Sequence, residues 1–456
     1  MFRLDYAQGY KLSAGCQAFF ESFFFKDRAA AELSGDFATP FQNEPGSLRL
    51  PRNALCDSAQ LADNPHLMKP FFVQVLAGLG LLVTRLSAAI ILSEDGYHVF
   101  PGDQIQDALQ QAASNKTNKV VKVHAGEYRP NSKRQALVWF NKTHDGIRLE
   151  ADGLVTLTAA NSQLGLSSEP SFPAVVNHVV YFGDGISSNT LLKGFRITEA
   201  NNFVTKEGTR EMEPNRTIPK NHFFYSDGGA VKVFGRSYPT IQNIEVVDNY
   251  TSPCGAGISV QHQGYKKDSV LIENCVFLRN RAQGTGAAVD LLAGSSARIF
   301  NCLFVDNVSN TGEDPVAKVS GEKPFVNNGV LTIFWKSSAI VQNCTFTGNR
   351  NGVDDMGGES SYANCIFVDN KLDAGLKGFA RYELAVNAGA KVSGCFINGT
   401  VHDARHDLSS AENVLNAQPP RFNKDFVPEA PEYKNAGYRP VSSTGRPAAN
   451  SNLLSK

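Results

Sequence analysis

Apolar and polar residues alternate in short runs on either side of a recurring Asn or Gly between residues 190 and 400. The frame Asn-Cys-x-Phe-x-x-Asn occurs four times, and looser copies precede and follow it. Alternation with a period of two predicts a strand on each side of the recurring residue. The parity shifts by one at that residue, which predicts a bend in the left-handed conformation that Asn and Gly tolerate best. The predicted bends are Gly194, Asn243, Asn274, Asn301, Asn343, Asn364 and Gly394.

A third strand is predicted ahead of each bend, after a turn of small residues such as GGAVKVF at 228 or GAAVDLL at 286. A Gly turn and three strands make one coil of a parallel β-helix, with coils stacked about 4.8 Å apart. Equivalent residues then form interior columns: a Phe stack, a Cys column and a ladder of the bend Asn side chains. The Phe and Cys columns comprise Phe277, Phe304, Phe346, Phe367, Cys275, Cys302, Cys344 and Cys365. The long interval between Cys302 and Cys344 leaves open an extra coil.

Residues 97–400 are predicted to form this solenoid, and both flanking segments differ from it. Ile105, Leu109 and Ala112 share one helical face, which predicts a short helix that caps the first coil. Residues 401–456 lack the frame and are rich in Pro and Ser, so we expect an irregular tail that closes the other end.

The first 92 residues carry no repeat. Residues 68–92 begin with Met and Lys, continue with an apolar run and contain small residues, an order typical of a secretory signal. We therefore expect translation to start at Met68, residues 1–67 to be a non-native upstream extension, and the mature protein to be secreted or in the cell envelope. Two alternatives stay open: a membrane anchor over residues 71–92, which Arg85 disfavours, and a buried core helix.

Charge and cysteine content exclude several classes of function. Lys plus Arg and Asp plus Glu both total 44, whereas a nucleic-acid-binding surface needs an excess of basic residues. Six of the eight cysteines lie between residues 254 and 395, mostly at one frame position, and no Cys-x-x-Cys pair occurs. This pattern favours free, packed thiols over disulfides or a zinc site. We expect a monomer that binds no nucleic acid.

The Gly-Gly-Ala-Val segment at 228–231 and the four Phe-x-x-Asn segments resemble known β-helix proteins. The resemblance is to the pectin-lyase-like superfamily, and most nearly to secreted bacterial repeat proteins that carry these two signatures. It covers roughly residues 97–400 and implies an all-β fold class, a right-handed parallel β-helix solenoid with a short N-terminal capping helix. It carries over no catalytic residue, because the sequence motifs of polygalacturonases and pectate lyases are absent.

Because the interior of such a solenoid is structural, we expect function on outward residues and loops. One outward column after the Gly turns reads Lys232, Ser259, Asp290, Thr332 and Asp354. The catalytic candidates are Lys232, Asp290, Asp354 and Asp355, and the substrate-binding candidates are Arg236, His262 and Trp335. Each also has a structural interpretation: a solvated column, a loop for His262, packing under a loop for Trp335, and a turn at 354–355.

Acids, cations and aromatic rings on one face suit a carbohydrate, and two mechanisms are open. A lyase would use Lys232 or Arg236 as base, with Ca²⁺ held by Asp290 and Asp354. A hydrolase would use those two carboxyl groups, which are about 10 Å apart if two coils separate them, slightly wider than the separation in inverting enzymes. The leading hypothesis is therefore binding or cleavage of an extracellular polysaccharide, including uronate-containing ones. The alternative is a non-catalytic surface or envelope protein whose loops, such as 201–227 and 308–324, serve adhesion.

Overall fold

The computed structural model describes a large part of the chain from residue 90 to residue 441. The described residues are 90–202, 211–213, 216–217, 227–252, 254–311, 328–372, 381–387, 389–399, 401–402, 408 and 412–441. The predicted extension at 1–67 and all but the last residues of the predicted signal segment lie outside them. Within the described ranges, no helix is both long and apolar enough to cross a membrane.

The helix predicted at the start of the solenoid is present. Helix α1 (Ile105–Ser114) buries Ile105, Leu109 and Ala112, the three residues whose spacing predicts its apolar face. The same cluster of buried residues holds these three side chains and Val99, Val121 and Val123 from the first strands. The helix therefore closes the interior at the N-terminal end of the coils.

Strands make up nearly all the remaining regular structure and stack in two long sheets. The nine-stranded sheet consists of β4 (Arg134–Phe140), β6 (Val176–Phe182), β12 (Val231–Phe234), β16 (Ile258–Gln261), β20 (Val289–Leu291), β23 (Leu331–Ile333), β26 (Val353–Asp355), β29 (Leu384–Val386) and β32 (Val401–His402). All of its pairings are parallel, from β4–β6 to β29–β32. Its strands follow the Gly turns, as the small-residue segments predict.

The nineteen-stranded sheet carries the strands on both sides of the bends. Its strands before the bends are β7 (Leu191–Lys193), β13 (Thr240–Gln242), β17 (Val270–Glu273), β21 (Ser296–Phe300), β24 (Ser338–Gln342), β27 (Ser361–Ala363) and β30 (Lys391–Ser393). Those after them are β8 (Arg196–Thr198), β14 (Glu245–Val247), β18 (Val276–Leu278), β22 (Leu303–Val305), β25 (Thr345–Thr347), β28 (Ile366–Val368) and β31 (Phe396–Ile397). A further strand, β33 (Val414–Leu415), pairs with β31. The first coils contribute β1 (Ile91–Ser93), β2 (Gly96–Val99), β3 (Val120–Tyr128) and β5 (Arg148–Thr158).

Two smaller sheets complete the described structure. One joins β9 (Asn201–Asn202), β15 (Tyr250–Thr251) and β19 (Arg281–Ala282), and the other is the hairpin of β10 (Glu211–Glu213) and β11 (Arg216–Thr217). Successive coils thus pair through parallel strands on every side, which confirms the predicted parallel β-helix.

All seven predicted bends have the left-handed backbone that the parity shift requires. The φ angles of Asn243, Asn274, Asn301, Asn343 and Asn364 lie between 49° and 56°, and those of Gly194 and Gly394 are 91° and 61°. The apolar residues that precede and follow each bend by the predicted spacing are buried. One residue in this conformation therefore turns the chain while both strands keep their apolar rows inward.

The predicted Phe stack runs through four coils. The ring centroids of Phe277 and Phe304 are 4.9 Å apart, those of Phe304 and Phe346 4.2 Å, and those of Phe346 and Phe367 5.0 Å. Parallel rings at these distances fill the interior with aromatic contacts. Beside them lie the free, buried thiols of Cys275, Cys302, Cys344, Cys365 and Cys395, as the spacing of the cysteines predicts.

The main asparagine ladder lies at a different position from the one predicted. Its members are the residues that close the Phe-x-x-Asn segments: Asn249, Asn280, Asn307, Asn349 and Asn370. Each side-chain amide donates to the side-chain oxygen of the next, over 2.7 to 3.0 Å, and Asn370 ends the series on the Glu383 carboxyl group. Among the bend residues, Asn301 donates to Asn274, but Asn343 donates to the backbone of Asn435 instead.

The long interval between Cys302 and Cys344 holds no extra coil. Strand β20 pairs directly with β23, β21 with β24 and β22 with β25, so the two flanking coils are adjacent on all their described faces. The described part of the predicted tail lies along the bends: the backbone amide of Gly437 donates to Asn364, and that of Arg439 to the Asn301 side chain. Strand pairing continues past residue 400, to β33 at Val414–Leu415.

Candidate functional site

Five polar positions on the nine-stranded sheet stack in register and define a polar column. Lys232 pairs with Ser259, Ser259 with Asp290, Asp290 with Thr332, and Thr332 with Asp354. Asp290 and Asp354 are two strand steps apart, which places their Cα atoms about 10 Å from each other. The alignment of the Gly turns therefore identifies the residues that share this column.

The polar column faces away from the apolar interior but is not solvated. Its neighbours along the strands, such as Val231 and Val233, belong to the apolar core, so the column lies on the opposite face. Its five side chains are nevertheless at most 4% exposed. The expectation of a solvated outer row is wrong, and each polar group in it must be satisfied within the fold or remain unpaired.

Lys232 is the cation of the column and is saturated with hydrogen bonds. Its Nζ donates to both carboxyl oxygens of Asp227 at 2.7 Å, to Ser259 Oγ at 3.2 Å and to Gln261 Oε1 at 2.9 Å. Burial lowers the pKa of Lys232 and raises that of Asp227, and the contact between the two groups opposes both shifts. Ser259 also donates to Asp227, so this carboxyl group organises the Lys232 end of the column.

Asp290 is the least satisfied acid of the column. Thr285 donates to its Oδ1 at 2.9 Å, whereas its Oδ2 has no hydrogen-bond partner among the described residues. Complete burial raises the pKa of Asp290 well above its usual range, and the hydrogen bond from Thr285 only partly opposes this. Gln261 Nε2 is likewise buried and without a described partner. One acceptor and one donor on adjacent coils are therefore left unsatisfied.

The two adjacent aspartates at the far end have different surroundings. Asp354 accepts a 3.0 Å hydrogen bond from Asn328 Nδ2, and burial raises its pKa to about 7. Asp355 is in register with Ile333 on the core row and accepts from Tyr362 Oη at 2.9 Å and the Gly357 amide at 2.8 Å. The structure thus brings Asp354, but not Asp355, into the column with Lys232 and Asp290.

The three candidates for substrate binding lie outside the column. Arg236 is 62% exposed, pairs with Asp184 and lies over the Tyr265 ring at 5.6 Å. His262 is fully buried, with Nε2 2.9 Å from the Ser237 carbonyl oxygen and Nδ1 3.3 Å from the Ser296 amide. Burial lowers the pKa of His262 to about 4. His262 lies in the loop directly after β16, as expected, but this part of the loop is buried.

The third substrate-binding candidate, Trp335, directly follows Phe334 in the chain. Its ring meets that of Phe334 edge to face at 5.9 Å, and the side chain is partly buried. This contact agrees with the packing interpretation of Trp335, while a part of the ring remains accessible.

Residues immediately before the Gly turns complete the column, and the sequence analysis missed them. Asp227 reaches Lys232 and Thr285 reaches Asp290, in both cases five residues further along the chain. Asn328, which also directly precedes a Gly, reaches Asp354 on the next coil. The signal was available, because each of these residues is polar and directly precedes a Gly. This signal indicates a contact with the polar column only if the turn folds back over the strand.

Metal binding is not indicated by the described side chains. Within the described ranges, no group of three or more His, Cys, Asp or Glu side chains is arranged to hold a metal ion. The Ca²⁺ that the lyase hypothesis requires therefore remains a prediction without a formed site in this part of the chain.

Comparison with known proteins bears on the fold. Residues 180–328 match the family model described as a right handed beta helix region. No curated protein sequence matches the chain.

A solved structure of a mutant of the PL6 family alginate lyase AlyGC is similar over 77% of this chain and 58% of its own, with 13% sequence identity and a TM-score of 0.26. The match thus spans less than two thirds of that enzyme, and a similarity this low supports no conclusion about activity. The family model begins within β6 and ends ahead of β23. It therefore includes the Lys232 end of the polar column. Its match confirms the hand of the coil as well as its parallel pairing, so the described strands within 180–328 belong to a right-handed parallel β-helix.

Proposed function

We propose that this β-helix binds and hydrolyses an extracellular polysaccharide at the polar column. The observation that carries the proposal is the pair of unsatisfied buried groups, Asp290 Oδ2 and Gln261 Nε2, beside the Lys232 cation. Buried polar atoms in folded proteins are nearly always paired, so unpaired ones on adjacent coils suggest a missing ligand. A sugar oxygen can accept two hydrogen bonds, one from Gln261 Nε2 and one from Asp290 Oδ2 when this carboxyl group carries its proton.

The pKa values in the column suit acid–base cleavage of a glycosidic bond. Asp290, whose pKa is raised well above its usual range, would keep the proton that a general acid must donate. Asp354, with a pKa of about 7, would be partly ionised at neutral pH and would serve as the base for a water molecule. Their Cα atoms are about 10 Å apart, slightly more than the carboxyl separation of inverting enzymes, so this mechanism requires the two side chains to approach each other with a water molecule between them.

The hydrogen bonds of Lys232 favour hydrolysis over elimination. A lyase base must offer a free lone pair, whereas Lys232 Nζ is engaged by Asp227, Ser259 and Gln261. Because Asp227 matches the charge of Lys232, the column does not by itself favour an acidic over a neutral sugar, and both classes of substrate are tested. Because the column is buried, the proposal requires that it open to the polysaccharide. A secreted or envelope location and a monomeric state accompany this proposal.

The test is a panel of uronate-containing and neutral polysaccharides, with and without Ca²⁺. We expect new reducing ends without the ultraviolet absorbance of an unsaturated product, and loss of most activity in Asp290→Asn. This variant is matched by Asp268→Asn, which removes an exposed carboxyl group on the β16 coil and should leave activity unchanged. Unsaturated products would show that the protein is a lyase and not a hydrolase. Full activity in Asp290→Asn would show that the polar column takes no part in the reaction.

One observation favours the alternative of a non-catalytic surface or envelope protein. The hydrogen bonds of Lys232 and the burial of all five side chains are what a structural polar network requires. In that case no polysaccharide of the panel would be cleaved, and Asp290→Asn would change the stability alone.

A further inference from the structure

Lys232 and Asp227 meet across a short stretch of chain and are shut off from solvent. Asp227 begins the segment Asp-Gly-Gly-Ala-Val, which leads directly to Lys232 on β12. The side chain of Lys232 is 1% exposed and that of Asp227 is not exposed at all. Lys232 Nζ lies 2.7 Å from both carboxyl oxygens, so no other group separates the amine from the carboxyl carbon, Cγ.

Burial makes the charged forms of this pair costly. Two charges away from solvent lose their hydration, and their mutual attraction restores only part of the free energy lost. Complete burial lowers the pKa of Lys232 and raises that of Asp227. Both shifts favour the uncharged amine and the protonated acid, which are the two forms that condense to an amide. An amide carries no charge, so its formation removes the cost of burying two ions.

Ser259 connects the amine with one oxygen of the carboxyl group. Lys232 Nζ donates to Ser259 Oγ at 3.2 Å, and this hydroxyl group in turn donates to Asp227 Oδ2. A proton can therefore pass from the amine through the hydroxyl group to Oδ2, and Ser259 regains its own proton in the same step. Gln261 Oε1 accepts a further hydrogen bond from Nζ at 2.9 Å and orients the amine.

We propose that Lys232 and Asp227 form an intramolecular isopeptide bond. Nζ attacks Asp227 Cγ, the N–C bond forms and the bond between Cγ and Oδ2 breaks. Oδ2 leaves as water with the proton of the acid and one proton of the amine, which reaches it through Ser259 Oγ. The condensation needs no oxidant, cofactor or other reactant. Nζ must leave the plane of the carboxyl group to reach Cγ, and the four-carbon side chain of Lys232 permits this movement.

Another lysine–aspartate contact of the chain lacks the conditions for condensation. Lys122 Nζ contacts the carboxyl group of Asp95, but these two side chains are 32% and 56% exposed. Water stabilises both charges there, so the amine stays protonated and the acid ionised. Close approach is thus shared by the two pairs, and complete burial distinguishes Lys232 and Asp227.

The cross-link would hold the end of the 201–227 loop on the sheet by a covalent bond. An amide does not exchange with water when the fold loosens, whereas an ion pair does. The amide nitrogen keeps one proton for Gln261 Oε1, so the unpaired Gln261 Nε2 and Asp290 Oδ2 remain as they are. The proposed polysaccharide reaction, with Asp290 and Asp354 as acid and base, therefore does not depend on the cross-link.

Peptide mapping of the purified full chain tests the proposal. Trypsin should release residues 221–236 as one peptide that is uncleaved after Lys232 and lighter by one water molecule. We expect Lys232→Met to show no loss of water from this region, and Ser259→Ala to lower the cross-linked fraction. Lys122 and Asp95 should be recovered without loss of water. Recovery of residues 221–232 as a separate peptide of full mass would overturn the proposal.

A succinimide at Asp227 must be distinguished from the isopeptide bond, because Asp227 precedes Gly228 and ring closure between them also releases one water molecule. Hydroxylamine cleaves the chain at a succinimide but leaves an isopeptide bond intact. The isopeptide bond also blocks the Lys232 amine, so this residue should resist acetylation in denaturant while Lys122 reacts. Cleavage by hydroxylamine after Asp227, or acetylation of Lys232 in the lighter peptide, would contradict the cross-link.

Discussion

The side-chain amide of Asn280 donates to Asn307 Oδ1 at 2.9 Å, and the side-chain amide of Asn307 donates to Asn349 Oδ1 on the next coil at 3.0 Å. Asn307 Nδ2 also reaches the carbonyl oxygens of Phe277 and Val305 at 3.0 Å. One buried side chain therefore joins three coils and pairs backbone groups that a turn leaves unpaired.

Asn307→Ala should be strongly destabilising. It leaves the Asn280 amide and two carbonyl groups without their partner, at a cost of about 3 kcal/mol in the free energy of unfolding. Chemical denaturation followed by circular dichroism measures this. Asn189→Ala, at an exposed position, is the control and should change the stability little; equal values for the two variants would show that the ladder contributes nothing.

The bend at Asn343 should tolerate Gly but not Val. Its φ of 54° costs a β-branched residue about 2 kcal/mol, whereas Gly adopts it without strain. Thermal unfolding of Asn343→Gly and Asn343→Val measures the difference. Both variants lose the hydrogen bond that the Asn343 side chain donates to the Asn435 carbonyl oxygen, so similar melting temperatures would contradict the role of the bend.

Phe304→Ala should create a cavity in the middle of the aromatic stack. Phe304 is fully buried between Phe277 and Phe346, so truncation is expected to cost about 4 kcal/mol. Phe304→Leu keeps most of the volume and should lose less than half of that. Denaturant unfolding with an unchanged m-value checks that the comparison concerns the folded state.

Glu383 should make the stability depend on pH. Burial raises its pKa to about 7 in the folded chain, above the ordinary value of 4.5, so the folded state resists ionisation. Below pH 4.5 Glu383 is protonated in both states and leaves the free energy of unfolding unchanged. As the pH rises, ionisation in the unfolded state lowers the free energy of unfolding, by about 3 kcal/mol at pH 7.

The control for this prediction is Glu383→Gln, which keeps an oxygen for the Asn370 amide but cannot ionise. The difference in unfolding free energy between the two proteins should favour the Gln variant increasingly from pH 4.5 to pH 7 and then level off. A constant difference across that range would show that Glu383 does not titrate there.

The sequence alone was sufficient for the coil and its interior. The parity shift at Asn243, Asn274 and the later bends identified the left-handed residues, because strand alternation exposes any change of register directly. The Phe stack followed from equal spacing in successive frames. The asparagine ladder was placed one strand too early, since both Asn positions of the frame recur with the same period and only the direction of the side chains distinguishes them.

The candidate site was predicted in part. Alignment of the Gly turns placed Lys232, Asp290 and Asp354 in one column, and their stacking is what parallel pairing in register requires. Alternation also separates Asp355 from Asp354, although the sequence analysis grouped the two. The same alignment did not assign Asp227 and Thr285 to the column: both are polar and directly precede a Gly, but only the folded turn shows that they reach back over their own strand.

Local, repeated geometry was thus determined by the sequence: where the chain bends, which side chains enter the interior and which share an outward row. Only the tertiary structure decided that the outward row is buried rather than exposed to solvent, and that the loop residue His262 is buried. Burial, and the pKa shifts that follow from it, depend on segments distant in the chain that pack over a residue, and no pattern around that residue records them.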